Sequence, residues 1–312
     1  MENNSNGSII SKTLIITQTV QNDYAYLEWI SNGYNADITL RNIPMFARLI
    51  RRYYIKYNLP FQSFWYGDWK KELYKYNTII LHSSSLTMKI PKWIKRKNGK
   101  MRVILWYWNP VNKYTLPTKV DRKYCELWSF DIENCKKYNM KLNTQYYFKS
   151  MKLPNAIVDN DLFYIGSDKG RIAKIYNVYE QCINQGISID FNVVPTDSKK
   201  IKYKEIVSKK MDYQDIIAHI AKSKAILEIN QEGQTGLTLR ALESIFHSKK
   251  LITNNQSIVN YDLYNNNNIF IIGVDKWENL KKFINIKYEV LSKDIINKYD
   301  FNNWFKNFFE WR

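Results

Sequence analysis

Short apolar runs alternate along the chain with stretches whose apolar residues recur every three or four positions. LIIT (14–17), TIILH (78–82) and RVILWYW (102–108) read as buried strands, with weaker ones at 128–131 and 145–148. The second half repeats the pattern at 162–165, 188–194, 225–229, 251–253 and 269–272. Between these runs, 44–57 carries Phe46, Leu49, Ile50 and Tyr53 at helical spacing, and 213–223 carries Ile216, Ile217 and Ile220. Further helices are expected at 168–185, 237–247, 275–284 and 293–311. Apolar strands alternating with helices predict an α/β protein whose parallel sheets are covered on both faces. The stretch MKLPNAIVDND (151–161) reads as a linker, so domains are expected at 1–150 and 151–290, with a terminal helical segment at 291–312.

The length of 312 residues fits two domains, and 45% hydrophobic content is enough to form cores. Ten glycines and seven prolines exclude fibrous and low-complexity classes. Lys plus Arg exceed Asp plus Glu by 47 − 29 = 18, spread along the whole chain. That balance points to an acidic partner: nucleic acid, an anionic membrane surface or a phosphorylated ligand. Part of the Lys, Asn and Tyr bias is also what genome composition alone produces. Cys125, Cys135 and Cys182 lack the paired spacing of a disulfide scaffold or a zinc site. Residues 1–12 are polar, and no apolar run reaches the roughly 18 residues of a membrane span. A cytoplasmic protein with at most peripheral membrane contact is expected.

In such sheets ligands bind beyond the carboxyl ends of the strands, where helix N-termini point inward. Two turns there stand out. In YIGSDKGR (164–171), Gly166 and Gly170 permit a tight turn, and Lys169 and Arg171 put two cations at a helix start, suited to a diphosphate. The turn is neither a GxGxxG nor a P-loop, and the plainer reading is a solvated strand-to-helix turn. In LEINQEGQTGLTLRALE (227–243), a polar loop with Gln234 and Gly236 leads into a helix whose first turn would expose the N–H groups of Leu237 and Thr238. Arg240 and Glu243 share one helix face. Arg240 can reach a phosphate and Glu243 the hydroxyls of a ribose; alternatively the two form an ordinary i, i+3 pair.

With IGSDKGR (165–171), INQEGQTGLTLRALES (229–244) and KLITNN (250–255), the chain resembles the donor-binding half of GT-B glycosyltransferases, in particular the bacterial enzymes of capsule, lipopolysaccharide and exopolysaccharide synthesis. LWYWNPV (105–111) and WSFDIENCKKYN (128–139) are weaker echoes. The resemblance implies two Rossmann-like domains facing across a cleft, with the last helix crossing back to the first domain. It implies transfer from a nucleotide-sugar to a glycan or lipid-linked acceptor, with no bound metal or cofactor. By the same analogy Gly166, Lys169, Arg171, Gln234, Gly236, Leu237, Thr238 and Arg240 would serve the diphosphate, Glu243 the ribose and Tyr213 the base. Retaining relatives carry a second Glu where this chain has Thr235, which leaves the stereochemical outcome open.

The first half should supply the acceptor side. Asp23 and His82, each just beyond a strand, are candidate catalytic bases, and Asn109 lies on the acceptor side of the same rim. A helix-capping Asp and a strand-end core His are the plainer readings. Trp106, Tyr107 and Trp108 could stack on sugars but fit a strand core equally. Trp304, Phe305, Phe308, Phe309 and Trp311 must bury against the first domain or lie on a membrane. Two other classes are weighed. Asp159-Asn-Asp161 matches the metal motif of a GT-A transferase. The charge alone would suit a nucleic-acid-binding protein, although no helix-turn-helix, zinc finger or RNP motif is present and no nucleic-acid partner is expected.

Overall fold

A computed structural model describes residues 2–18, 23–57, 59–196, 203–231 and 233–310. The chain forms two compact units, Met1–Leu142 and Asn143–Arg312.

Unit 1 runs α1 (Glu2–Ser11), β1 (Thr13–Thr17), α2 (Tyr24–Ser31), β2 (Asn35–Ile38), α3 (Met45–Lys56), β3 (Thr78–His82), α4 (Ile90–Lys97), β4 (Arg102–Tyr107), β5 (Glu126–Ser129), α5 (Ile132–Tyr138) and β6 (Lys141–Leu142). Its six strands are all parallel, in the order β2-β1-β3-β4-β5-β6. β1 and β3 are buried along their whole length, as a sheet covered on both faces requires. Leu14, Ile79, Leu81, Val103 and Leu105 pack with Ile90 and Ile94 of α4 on one face. Trp106 and Tyr107 belong to this buried interior rather than to an open sugar platform. The strand expected at 128–131 begins earlier and stops at Ser129. Asp131 caps α5 instead, its Oδ1 accepting from Asn134 N at 2.8 Å.

Unit 2 runs β7 (Asn160–Ser167), α6 (Ile172–Asn184), β8 (Ile189–Val194), α7 (Tyr213–Ala221), β9 (Ser223–Glu228), α8 (Leu239–Phe246), β10 (Lys250–Thr253), β11 (Ile269–Ile271), α9 (Leu280–Asn285), α10 (Lys293–Lys298) and α11 (Phe301–Glu310). Its five parallel strands are ordered β11-β10-β9-β7-β8. Leu162, Ala225, Leu227 and Ile252 face α6 and α9; Phe163, Ile165 and Ile226 face α7; Leu251, Ile269 and Ile271 face α8.

Three expectations change. Residues 145–148 form no strand: Tyr147 makes only an isolated bridge to Asp300, its N–H donating to Tyr299 O at 2.9 Å and its carbonyl accepting from Phe301 N at 2.8 Å. That bridge sits where the helix expected over 293–311 breaks into α10 and α11. Trp311 lies outside the described residues. Phe301, Trp304, Phe305 and Phe308 are buried, with Tyr146 packed on Phe301 and Trp304, so they are not the bare face of a membrane-lying helix. Asp161 sits at the amino end of β7, paired to Lys224 at 2.8 Å and accepting from Ser188 N at 3.0 Å. The Asp-x-Asp stretch is thus far from any strand's carboxyl end, and two separate parallel sheets are not the GT-A arrangement.

Candidate functional site

The carboxyl ends of β7, β9 and β10 bring most of the expected residues together in unit 2. β7 ends in the turn 167–171. Lys169 adopts φ +44° and Gly170 φ +79°, both left-handed, and Lys169 N donates to Thr196 Oγ1 at 2.9 Å. The Lys169 side chain is exposed there. Gly166 is small for a different reason: a Cβ would stand 2.7 Å from the phenolic oxygen of buried Tyr164. Arg171 departs from its expected diphosphate role. Its Nε donates to Asp168 O at 3.2 Å, Nη2 to Ser167 O at 2.5 Å and Nη1 to Ile229 O. The guanidinium therefore staples the end of β7 to the end of β9.

The second turn, 229–238, is held by Asn254 and Asn255. Asn230 N donates to Asn254 Oδ1 at 2.6 Å, and Asn255 Nδ2 donates to Thr235 O at 3.3 Å. Gln234 N closes the turn on Gln231 O at 3.1 Å. The helix begins at Leu239, so Leu237 and Thr238 precede it rather than forming its first turn. Leu237 and Gly236 are buried, Leu237 in the core. Thr238 caps α8, its Oγ1 accepting from Arg240 N at 3.1 Å and donating to Glu228. Glu228 also accepts from Thr253 Oγ1. Burial pushes the Glu228 carboxyl up, and the two threonine hydroxyls, Arg240 and Arg171 oppose it.

One turn into α8, Arg240 Nη1 pairs with Glu243 Oε2. Glu243 is 0% exposed, and its Oε1 accepts from Tyr213 Oη at 2.8 Å. Tyr213 Oη lies 2.8 Å from Tyr147 Oη, and Tyr147 Oη 2.9 Å from His247 Nε2. Burial, then Lys249 and Lys152, holds His247 down to about 4, so it is neutral at physiological pH. The protons balance when His247 Nε2–H donates to Tyr147, Tyr147 to Tyr213 and Tyr213 to Glu243. Burial pushes the Glu243 carboxyl up, with Arg240 and Tyr213 opposing. Neither Glu243 oxygen faces solvent; in this arrangement the carboxylate orients Arg240 and Tyr213, and the ribose expected on it has no open access. Tyr213 is likewise tied to Glu243 rather than set to flank a base.

Beside these strand ends a cavity of about 310 Å³ is lined by Ala173, Lys174, Asn177, Ile229, Asn254 and Ile272.

No family model matches the chain, and no curated protein matches it in sequence. Solved structures match it in shape. Sucrose-phosphate synthase from Thermosynechococcus elongatus has a TM-score of 0.56 at 10% identity, over 94% of this chain and 96% of that one. HepE from Anabaena, in complex with UDP-glucose, has a TM-score of 0.54 at 10% identity, over 93% of this chain and 96% of that one. The chain shares their fold, two Rossmann-like domains of the GT-B type.

In unit 1 of that fold, Asp23 and His82 have structural partners. Asp23 caps α2, its Oδ1 accepting from Ala25 N at 3.1 Å. His82 is buried between Trp29, edge-on at 5.4 Å, and Trp108, stacked at 5.8 Å, and its Nε2 has no hydrogen-bond partner. Burial lowers its pKa to about 3, which makes it a poor proton acceptor. Asn109 is exposed just beyond β4. Sequence reading overlooked Glu228, Tyr147 and His247. Glu228 had a signal, an acid closing the apolar run AILE; Tyr147 lay inside a segment read as a strand.

Proposed function

We propose that the chain is a glycosyltransferase that moves a sugar from a nucleotide-diphosphate donor to a glycan or lipid-linked acceptor in surface-polysaccharide synthesis, without a bound metal. The observation carrying this reading is the convergence of the Lys169–Gly170 turn, the capped start of α8 and Arg240 at the carboxyl ends of one parallel sheet. The likeness to a fold found with UDP-glucose in HepE supports a nucleotide-sugar as the donor. In this reading Lys169 and Arg240 neutralise the leaving diphosphate, Glu243 orients Arg240, and the cavity beside Asn254 takes the nucleoside. Asp23, partly exposed beyond β1, takes the acceptor's proton rather than the buried His82.

A thermal-shift series with UDP-, GDP-, dTDP- and CMP-sugars tests it. A specific donor raises the melting temperature by linkage, by about 2.7 kcal/mol of stabilisation at a hundredfold excess over Kd. Arg240→Ala removes most of that shift, and sugar transfer survives EDTA. If none of the four donor classes stabilises the chain, the donor-site assignment is wrong.

A further inference from the structure

Helix α3 turns its apolar face outward. Ala47, Arg51, Tyr54 and Ile55 are partly covered, no residue of the helix is fully buried, and Arg51 Nη1 donates to Arg41 O at 2.6 Å. At about 100° per residue those positions make one face. The opposite face carries Met45, Phe46, Leu49, Ile50 and Tyr53, continued by Tyr57, with exposures between 49% and 81%. A surface helix of a soluble domain shows the reverse. Scattered exposed apolar residues need no explanation, but a contiguous stripe marks something that covers it. Arg48, Arg52 and Lys56 follow at i, i+4 and i+8 along one edge of the stripe, and the helix, MFARLIRRYYIK, contains no acidic residue. Phe61 and Phe64, just after the helix, are also exposed.

We propose that α3 docks unit 1 on an anionic lipid bilayer. The helix lies in the interface. Phe46, Leu49 and Ile50 enter the acyl boundary, Tyr53 and Tyr57 sit at headgroup depth, and Arg48, Arg52 and Lys56 meet the lipid phosphates. A cationic edge without a single carboxylate favours lipid over a protein groove, where mixed charges would set the register. This inference is independent of the donor site: it stands or falls on binding alone, with no nucleotide-sugar present.

The test is flotation of the full chain with vesicles of phosphatidylcholine alone or mixed with phosphatidylglycerol. The chain should float with the mixed vesicles and much less with phosphatidylcholine. Leu49→Glu/Tyr53→Glu, at exposed positions that leave the core intact, should weaken binding by more than about tenfold. Arg52→Gln/Lys56→Gln should weaken it by about fivefold per charge removed, and added salt should mimic that loss. Unchanged melting curves for both variants would show that folding is preserved. Absence of flotation with anionic vesicles at low salt overturns the proposal, as does binding by both variants equal to that of the parent chain. Self-association of the chain that Leu49→Glu abolishes, without vesicle binding, also overturns it and makes the stripe a protein interface.

Discussion

The two units are built alike, but the ionic cluster that links three strands of unit 1 and the two buried carboxylates of unit 2 sit at opposite ends of the sheet. In unit 1 the ionic cluster is at the amino ends: Arg102 opens β4, Glu126 opens β5 and Lys141 opens β6. Glu126 accepts from Arg102 Nε at 2.6 Å, Trp128 Nε1 at 3.0 Å and Lys141 Nζ at 3.1 Å. Burial opposes ionisation of Glu126, but these donors prevail and hold it down to about 2. At the carboxyl ends of unit 1, Asp23 and Asp131 cap helices, and His82 lies between two tryptophans. In unit 2 the buried carboxylates Glu228 and Glu243 sit at the carboxyl ends with Arg171 and Arg240 around them. Helix starts and glycine turns also point to that end, so the rim proposed to handle an anion is the one where charges are placed with them.

Removing a unit 2 charge should therefore cost most. Glu243→Gln removes the carboxylate that pairs with the mostly buried Arg240 guanidinium and puts a neutral amide at the end of the chain of hydroxyls through Tyr213 and Tyr147. The expected loss is about 3 kcal/mol in chemical denaturation. The double variant Arg240→Met/Glu243→Leu, which removes both charges, should recover most of it. A loss no larger than that of an exposed Lys71→Ala replacement would mean that the buried pair is not a structural element of the rim.

The two cations of the glycine turn separate positioning from binding. Arg171→Ala should cost about 2 kcal/mol of stability, because three backbone carbonyls lose a charged donor. Lys169→Ala should leave stability unchanged and weaken donor binding by about tenfold, read from the thermal shift with the stabilising nucleotide-sugar. The reverse pattern would make Arg171 the ligand and Lys169 a bystander.

Much of this was legible in the residues. Apolar runs located β1, β3, β4 and β7 to β11 because strands buried on both faces leave no polar alternation to misread. The weakly patterned β2 (NADI) and the amphipathic α4, with Pro91 in its first turn, were missed. Spacing placed Lys169 in a strand-end turn and Arg240 and Glu243 on one helix face, since turns and helix faces are local. Spacing could not show that Arg171 reaches Ile229, or that Tyr147 meets Tyr213 across 66 positions, because those bonds depend on tertiary packing. Nor could helical periodicity reveal which way α3 faces, since an apolar stripe looks the same turned inward or outward.

The buried histidine of unit 1 makes the smallest prediction. With its pKa lowered to about 3, His82 stays unprotonated in the folded chain, while in the unfolded chain it titrates near 6.5. Its contribution is full above the unfolded value and is lost as pH falls from about 6.5 toward 3, because only the unfolded state then takes up the proton. At about pH 5.5 the loss is about 1 kcal/mol. His82→Phe keeps a ring between Trp29 and Trp108 and removes the unpartnered Nε2. It should therefore match the parent chain at pH 7.5 and exceed it by that amount at pH 5.5 in paired denaturation curves, with turnover retained. An equal acid loss in both proteins would place the proton elsewhere, His247 being the next candidate. Loss of turnover with stability intact would make His82, rather than Asp23, the base.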